Sequence, residues 1–215
     1  MTSALIVLAV SAAVVNWSTR VPRPPGPLGE RWVEWLSKPL ATLALIGLAA
    51  TVEAADQSQQ QWFVIGLVLC LAGDVALMLP TELFRTGLVS FLLGHLAFII
   101  GFLNRFEFAP IAAIVIGLIL LAGCLVIGFV HLLPNVRRRA PDLYGPVLAY
   151  VAVIGSMGIT SIQGGHWAAP LGAAAFAVSD LTLADHKFVS ARQWSPPAVM
   201  ITYHLALALL VWSLR

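Results

Sequence analysis

A chain of 215 residues that is 60% hydrophobic and only 10% charged, with a mean hydropathy of +0.91, has too little polar surface to cover a water-soluble fold of its size. It reads as an all-α protein, a polytopic membrane helix bundle forming a single transmembrane domain over 1–215. The net charge of +2 excludes the basic footprint of a nucleic-acid binder. Cys70 and Cys124 both sit in apolar runs and offer neither a disulfide framework nor a zinc pattern.

Eight apolar runs predict eight spanning helices. The first covers about 2–17; with no basic leader and no clear cleavage site it is expected to stay as a mature helix rather than act as a signal peptide. A Pro/Gly-rich segment follows over about 19–37, where Trp32 and Trp35 are placed as interfacial anchors. The second helix is expected to begin at Lys38-Pro39 and to end near Glu53, before the polar turn at 56–61. The third covers about 62–80 and the fourth about 85–104, separated by the polar turn Pro80–Arg85. The fifth covers about 108–132, and Pro134, Arg137–Arg139 and Pro141 form the next loop. The sixth covers about 144–163 and breaks at Gly164-Gly165-His166; the seventh covers about 168–186 and the eighth about 196–213.

With eight spans, the loops on one side carry Arg20, Arg23, Arg31, Lys38, Arg85, Arg137, Arg138, Arg139, Lys187 and Arg192, ten of the twelve basic residues. The other side keeps Arg105 and Arg215. The positive-inside rule then predicts a multi-pass protein of the cell membrane with its basic loops cytoplasmic and both termini outside. An internal echo accompanies this. Ile65-Gly66 precedes Asp74 by the same interval that separates Leu171-Gly172 from Asp180, and Gly94-His95-Leu96-Ala97 echoes Tyr203-His204-Leu205-Ala206. Pro39 and Pro146 stand at nearly equal distances upstream of the two acids. The pattern suggests a 4+4 parallel internal repeat with a site between the halves.

Ionisable groups inside spans cost about 2.5–3.5 kcal/mol each on insertion scales and mark functional sites. Asp74 and Asp180 each fall roughly 9 Å in from the cytoplasmic end of their helices, at about 1.5 Å rise per residue. His95, Tyr150 with Ser156, and Tyr203 with His204 fall at comparable depth on helices running the other way. Gly73, Gly87, Gly94 and Ser179 beside them would let backbones approach closely. Two carboxyls in one low-dielectric pocket cannot both ionise cheaply, so one is expected to hold its proton as an acid while the other stabilises developing positive charge. Plainer roles compete: interhelix hydrogen bonding for Tyr150 and Ser156, packing for Tyr203, support of a carboxylate for His95, and a snorkelling helix-end lysine for Lys38. Tyr203 and His204 are adjacent, about 100° apart on a helix, and cannot both face one point. The acids and histidines lack zinc-site spacing, and no metal or other cofactor is predicted.

Lys38-Pro39, the GlyAsp motif at 73–78 ending Leu77-Met78, Phe84 through Gly94-His95, the helix carrying Pro146, Tyr150, Ser156 and Met157, the SerAsp motif at 172–184, and Thr202-Tyr203 together resemble the YhhN-like lysoplasmalogenase family. The resemblance runs from about residue 38 to the C-terminus and implies an eight-helix membrane hydrolase. Such an enzyme cleaves the vinyl-ether bond of a lysophospholipid to a fatty aldehyde and a glycerophospho-alcohol, with membrane lipid as its surroundings. It implies that Asp74 and Asp180 are the catalytic acids. His95, Tyr150, Tyr203, Ser156, Ser179 and His204 would then support them or bind substrate, and Lys38 would be a candidate contact for the headgroup phosphate. The chain departs from the pattern at His204, where a small or amide residue is expected. The rival readings are a small lipid or proton-coupled transporter using the same acids as a relay, and a metal-dependent lipid hydrolase with His95 and His204 as ligands.

Overall fold

The computed structural model describes residues 2–20, 31–79, 83–105 and 107–215. The middle of the Pro80–Arg85 turn, the basic residue Arg23 and the anchor side chain of Trp32 lie outside the described residues. Among those described, the regular elements are helical: α1 (Thr2–Arg20), α2 (Arg31–Thr51), α3 (Gln57–Met78), α4 (Phe84–Leu103), α5 (Ile111–Ile127), α6 (Leu133–Arg139), α7 (Tyr144–Thr160), α8 (Ala168–Phe188) and α9 (Ser195–Trp212). One isolated bridge joins Glu107 to Gly164 on the side away from the basic loops.

Local chemistry sets several of the ends. Asp56 caps α3 by accepting from the Gln59 amide at 2.6 Å. Pro196 and Pro197 open α9, where a missing N–H is harmless. The Arg139 guanidinium donates to the Phe188 and Val189 carbonyls and so satisfies orphan acceptors at the end of α8.

Three boundaries differ from the sequence expectation, the first being that α3 begins at Gln57, so that the polar stretch expected as a turn over 56–61 is its cap and opening turn. Helix α2 starts at Arg31, not at Lys38-Pro39, and carries Pro39 in its interior. Lys38 is therefore no loop residue; it is buried inside a helix and drops out of the charge bias that sets topology. Helix α5 does not stop before Pro134 either. It passes through a π-helical turn, Gly128–Leu132, into α6, so that Arg137, Arg138 and Arg139 form a helical last turn instead of a loop. The wider π turn precedes the proline, whose ring would clash with the carbonyl four residues back in a straight α-helix.

Five stretches among the described residues are long and apolar enough to cross a membrane: α3, α4, the continuous α5–α6 rod, α7 with its flanking turns, and α9. The apolar parts of α1 and α2 are shorter. Helix α8, which carries Asp180, Asp185, His186 and Lys187, falls short of the same apolar density. Large apolar side chains such as Val7, Leu36, Ile119 and Val130 point outward, as a surface bathed in lipid requires.

The α3–α4 hairpin is the rigid centre. Three aromatic rings each lie over a glycine of the facing helix: Phe98 on Gly66, Phe91 on Gly73, and Phe63 on Gly101. Phe63 also meets Phe98 and Phe102 edge-on at 5.2 and 5.0 Å. At Gly94 a methyl group would stand 3.1 Å from both the Cys70 sulfur and the Gly66 carbonyl oxygen, which is main chain and cannot yield alone. Gly94→Ala is expected to cost about 1–3 kcal/mol by wedging the hairpin open, read as a lower unfolding midpoint in detergent.

Candidate active site

Asp74 sits one turn from the end of α3 and is fully buried. Two helices close on its carboxylate. From α2, the Lys38 ammonium approaches Oδ1 at 2.9 Å, and the Thr42 hydroxyl donates to Oδ2 at 3.1 Å. From α9, the Tyr203 hydroxyl donates to the same Oδ2 at 2.8 Å. Lys38 and Thr42 are four residues apart and so share one face of α2. A buried acid in contact with a buried ammonium and two hydroxyls is held as an anion, with its charge balanced on the spot.

Asp180, near the end of α8, is held differently. The Tyr150 hydroxyl of α7 donates to its Oδ2 at 2.8 Å, and His95 Nε2 of α4 stands 3.4 Å from the same oxygen. The other imidazole nitrogen, Nδ1, lies 2.6 Å from the Phe91 carbonyl. A carbonyl only accepts, so Nδ1 carries a hydrogen. Nε2 then has no hydrogen-bond partner and faces Asp180 Oδ2 at 3.4 Å, where a proton on the carboxyl or on the ring would join the two. Phe176 packs across the His95 ring at 4.4 Å between centroids and Tyr150 at 5.4 Å, which fixes the imidazole in place.

Both acids line one cavity of about 560 Å³. Lys38, Tyr203 and Ser179 share its wall, Phe91 and Met200 supply apolar surface, and Trp35, His186 and Lys187 lie at the end nearest the basic loops. A second, apolar cavity abuts it between α4, α5, α7 and α8, and Asp180 belongs to both linings. The Ser179 hydroxyl is spent on the Val199 carbonyl at 3.1 Å, where it ties α8 to α9.

Three sequence-based expectations change here. Lys38 is not a snorkelling lysine; it is buried, its ammonium pairs with Asp74, and it lines the cavity the two acids share. Ser156 lies on an exposed face of α7 and donates to the Ala152 carbonyl of its own helix at 2.9 Å. Ser156→Ala is therefore expected to leave activity unchanged and stability within about 0.5 kcal/mol, as parallel turnover and unfolding measurements would record. His204 turns away from the acids and lines a separate cavity between α1, α2 and α9, where its Nδ1 accepts from the Trp17 indole at 2.9 Å. His95 and His204 therefore do not converge on one point, and no cluster of three or more His, Cys, Asp or Glu suited to a metal is found among the described residues. Thr42 was not anticipated from the sequence, and Phe176 entered it only as part of the motif at 172–184.

The sequence profile of the YhhN family matches residues 33–214. Two curated relatives named lysoplasmalogenase, from Mycobacterium bovis (strain ATCC BAA-935 / AF2122/97) and Mycobacterium tuberculosis (strain CDC 1551 / Oshkosh), are each 32% identical over 159 residues. The match takes in 69% of this chain and 58% of theirs, so the chain spans somewhat more than half the length of these relatives. No solved structure matches the chain.

Proposed function

From the premise that this chain belongs to the YhhN family, we propose that it is a membrane-embedded hydrolase that cleaves the vinyl-ether bond of a lysoplasmalogen-type lysophospholipid. The products are a fatty aldehyde and a glycerophospho-alcohol. The observation that carries the reading is the shared cavity: two acids in unlike surroundings, one paired with the Lys38 ammonium and one beside the His95 imidazole. The name that the two relatives bear supports the substrate class.

The reaction needs a proton on the β-carbon of the double bond. The Asp180–His95 couple supplies it, and the double-bond electrons form the new C–H bond. Positive charge then develops on the α-carbon and its ether oxygen, opposite the carboxylates of Asp180 and Asp74. Water adds to the α-carbon and passes its spare proton back to the Asp180–His95 couple. The hemiacetal collapses as that proton moves to the departing glyceryl oxygen and the C–O bond breaks, while the hemiacetal hydroxyl gives its own proton to the couple as the aldehyde carbonyl forms; one water is consumed and the acid is restored. Tyr150 and Tyr203 hold the two carboxylates in place throughout, and Lys38 keeps Asp74 anionic.

The same reading takes the bundle as eight spans with the basic loops cytoplasmic and both termini outside. The cavity then opens toward the inner leaflet, where a lysolipid presents its headgroup. It also keeps the 4+4 repeat, since α2 and α7, each preceding an acid-bearing hairpin, both supply a side chain to the acid that follows. The test is aldehyde release from a vinyl-ether lysolipid by purified protein in detergent, with the ester-linked lysolipid as control. Turnover confined to the vinyl ether supports the proposal. No release from either, with transport of lysolipid only in sealed vesicles, replaces it with a carrier.

A further inference from the structure

The apolar cavity beside the acids is walled by Leu88, Leu125, Gly128, Val151 and Ile154, and it joins the polar one at Asp180. A molecule reaching from one into the other would be polar at one end and hydrocarbon at the other, with their junction at the acid. Gly128 stands where α5 enters its π turn and is buried in this wall. Its backbone is ordinary helix, φ −56° and ψ −51°, so nothing in the main chain demands glycine. Two buried glycines at nearby helix crossings are packed hard: a methyl on Gly117 would meet Pro170 at 2.8 Å, and one on Gly158 would meet Leu121 at 2.4 Å, whereas one on Gly155 would touch Leu125 at 3.6 Å. A methyl on Gly128 would find only Val151, at 3.9 Å. The missing side chain at 128 leaves room rather than closing a contact.

We propose that this apolar cavity seats the hydrocarbon chain of the substrate, and that Gly128 sets how long a chain it admits. The proposal rests on the single-chain amphiphile of the preceding section. In a bilayer the chain leaves one apolar surrounding for another, so added methylenes bring little hydrophobic gain. Selection by length must then come from the shape of the seat, and a bulky group at 128 cuts the seat short.

The experiment counts bound lysophosphatidylcholine by native mass spectrometry, comparing chains of eight and sixteen carbons. These ester lipids lack the vinyl ether and report binding whether or not the protein hydrolyses anything. Gly128→Phe is expected to lower retention of the long chain relative to the short one by about tenfold or more. Val151→Phe, which fills the same space from α7, is expected to do likewise and serves if the first variant does not fold. Gly123→Phe is the control on the same helix, because nothing lies within 4 Å of a methyl placed there; its ratio should match the wild type. Equal loss of both lengths, no change in the ratio, or no retention by the wild type overturns the proposal. A shifted ratio without aldehyde release would keep the seat and remove the reaction; aldehyde release with an unshifted ratio would do the reverse.

Discussion

Asp180→Asn is expected to lower aldehyde release by about 10²–10⁴-fold, the usual contribution of a positioned general acid. The amide keeps the shape of the carboxyl. With its oxygen at the Oδ2 position the amide still accepts from Tyr150, so the fold has little reason to change; His95 Nε2 then faces that same oxygen at 3.4 Å with no carboxyl proton between them. What it cannot do is surrender a proton to carbon and take one from water. An aldehyde-coupled dehydrogenase assay on purified protein, with the unfolding midpoint measured in parallel, separates chemistry from folding. Turnover within a few-fold of wild type in a folded Asp180→Asn protein removes Asp180 as the acid.

Lys38→Met is expected to destabilise the protein by about 3–5 kcal/mol, because it strands a buried carboxylate. Lys38 and Asp74 are almost wholly buried, with side chains 4% and 1% exposed, so water cannot take over the lost charge. The Tyr203 and Thr42 hydroxyls remain, but neither carries a compensating charge. The double variant Lys38→Met/Asp74→Leu is expected to recover most of this loss, short of about 1 kcal/mol for each hydroxyl that loses its acceptor. It should remain inactive. Denaturant titration in detergent measures both, and a single variant as stable as wild type would mean that Asp74 is not held as an anion by Lys38.

The positions of the two acids were legible because charge inside an apolar run is rare and dear, so Asp74 and Asp180 announce themselves. The helical nature of the chain was legible for the same reason of composition. Lys38 was misread because a Lys-Pro pair looks like the first turn of a helix, and nothing local told of the turns before it. Thr42 carries no motif, yet its spacing from Lys38 puts it on the same face, a signal that could have been used. Ser156 could have been set aside in the same way: six residues from Tyr150 is about 240° around a helix, a different face. Between Tyr203 and His204 the sequence could not choose. Only the packing of α1, whose Trp17 takes the imidazole, decides which of the neighbours turns to Asp74. The run of α5 through Pro134 was hidden because a π turn has no sequence signature of its own.

The pairing of Lys38 with Asp74 also bears on how the chain is made. Both residues are synthesised before α4, on helices that pack side by side, so the charge on each can be cancelled while the ribosome is still at work. A neutral hairpin can leave the translocon for lipid where a lone aspartate would be held back. Tyr203 arrives 129 residues after Asp74, on α9. Nascent chains halted before α9 should therefore insert as stably over the same helices as chains that include it, yet remain without turnover until α9 docks.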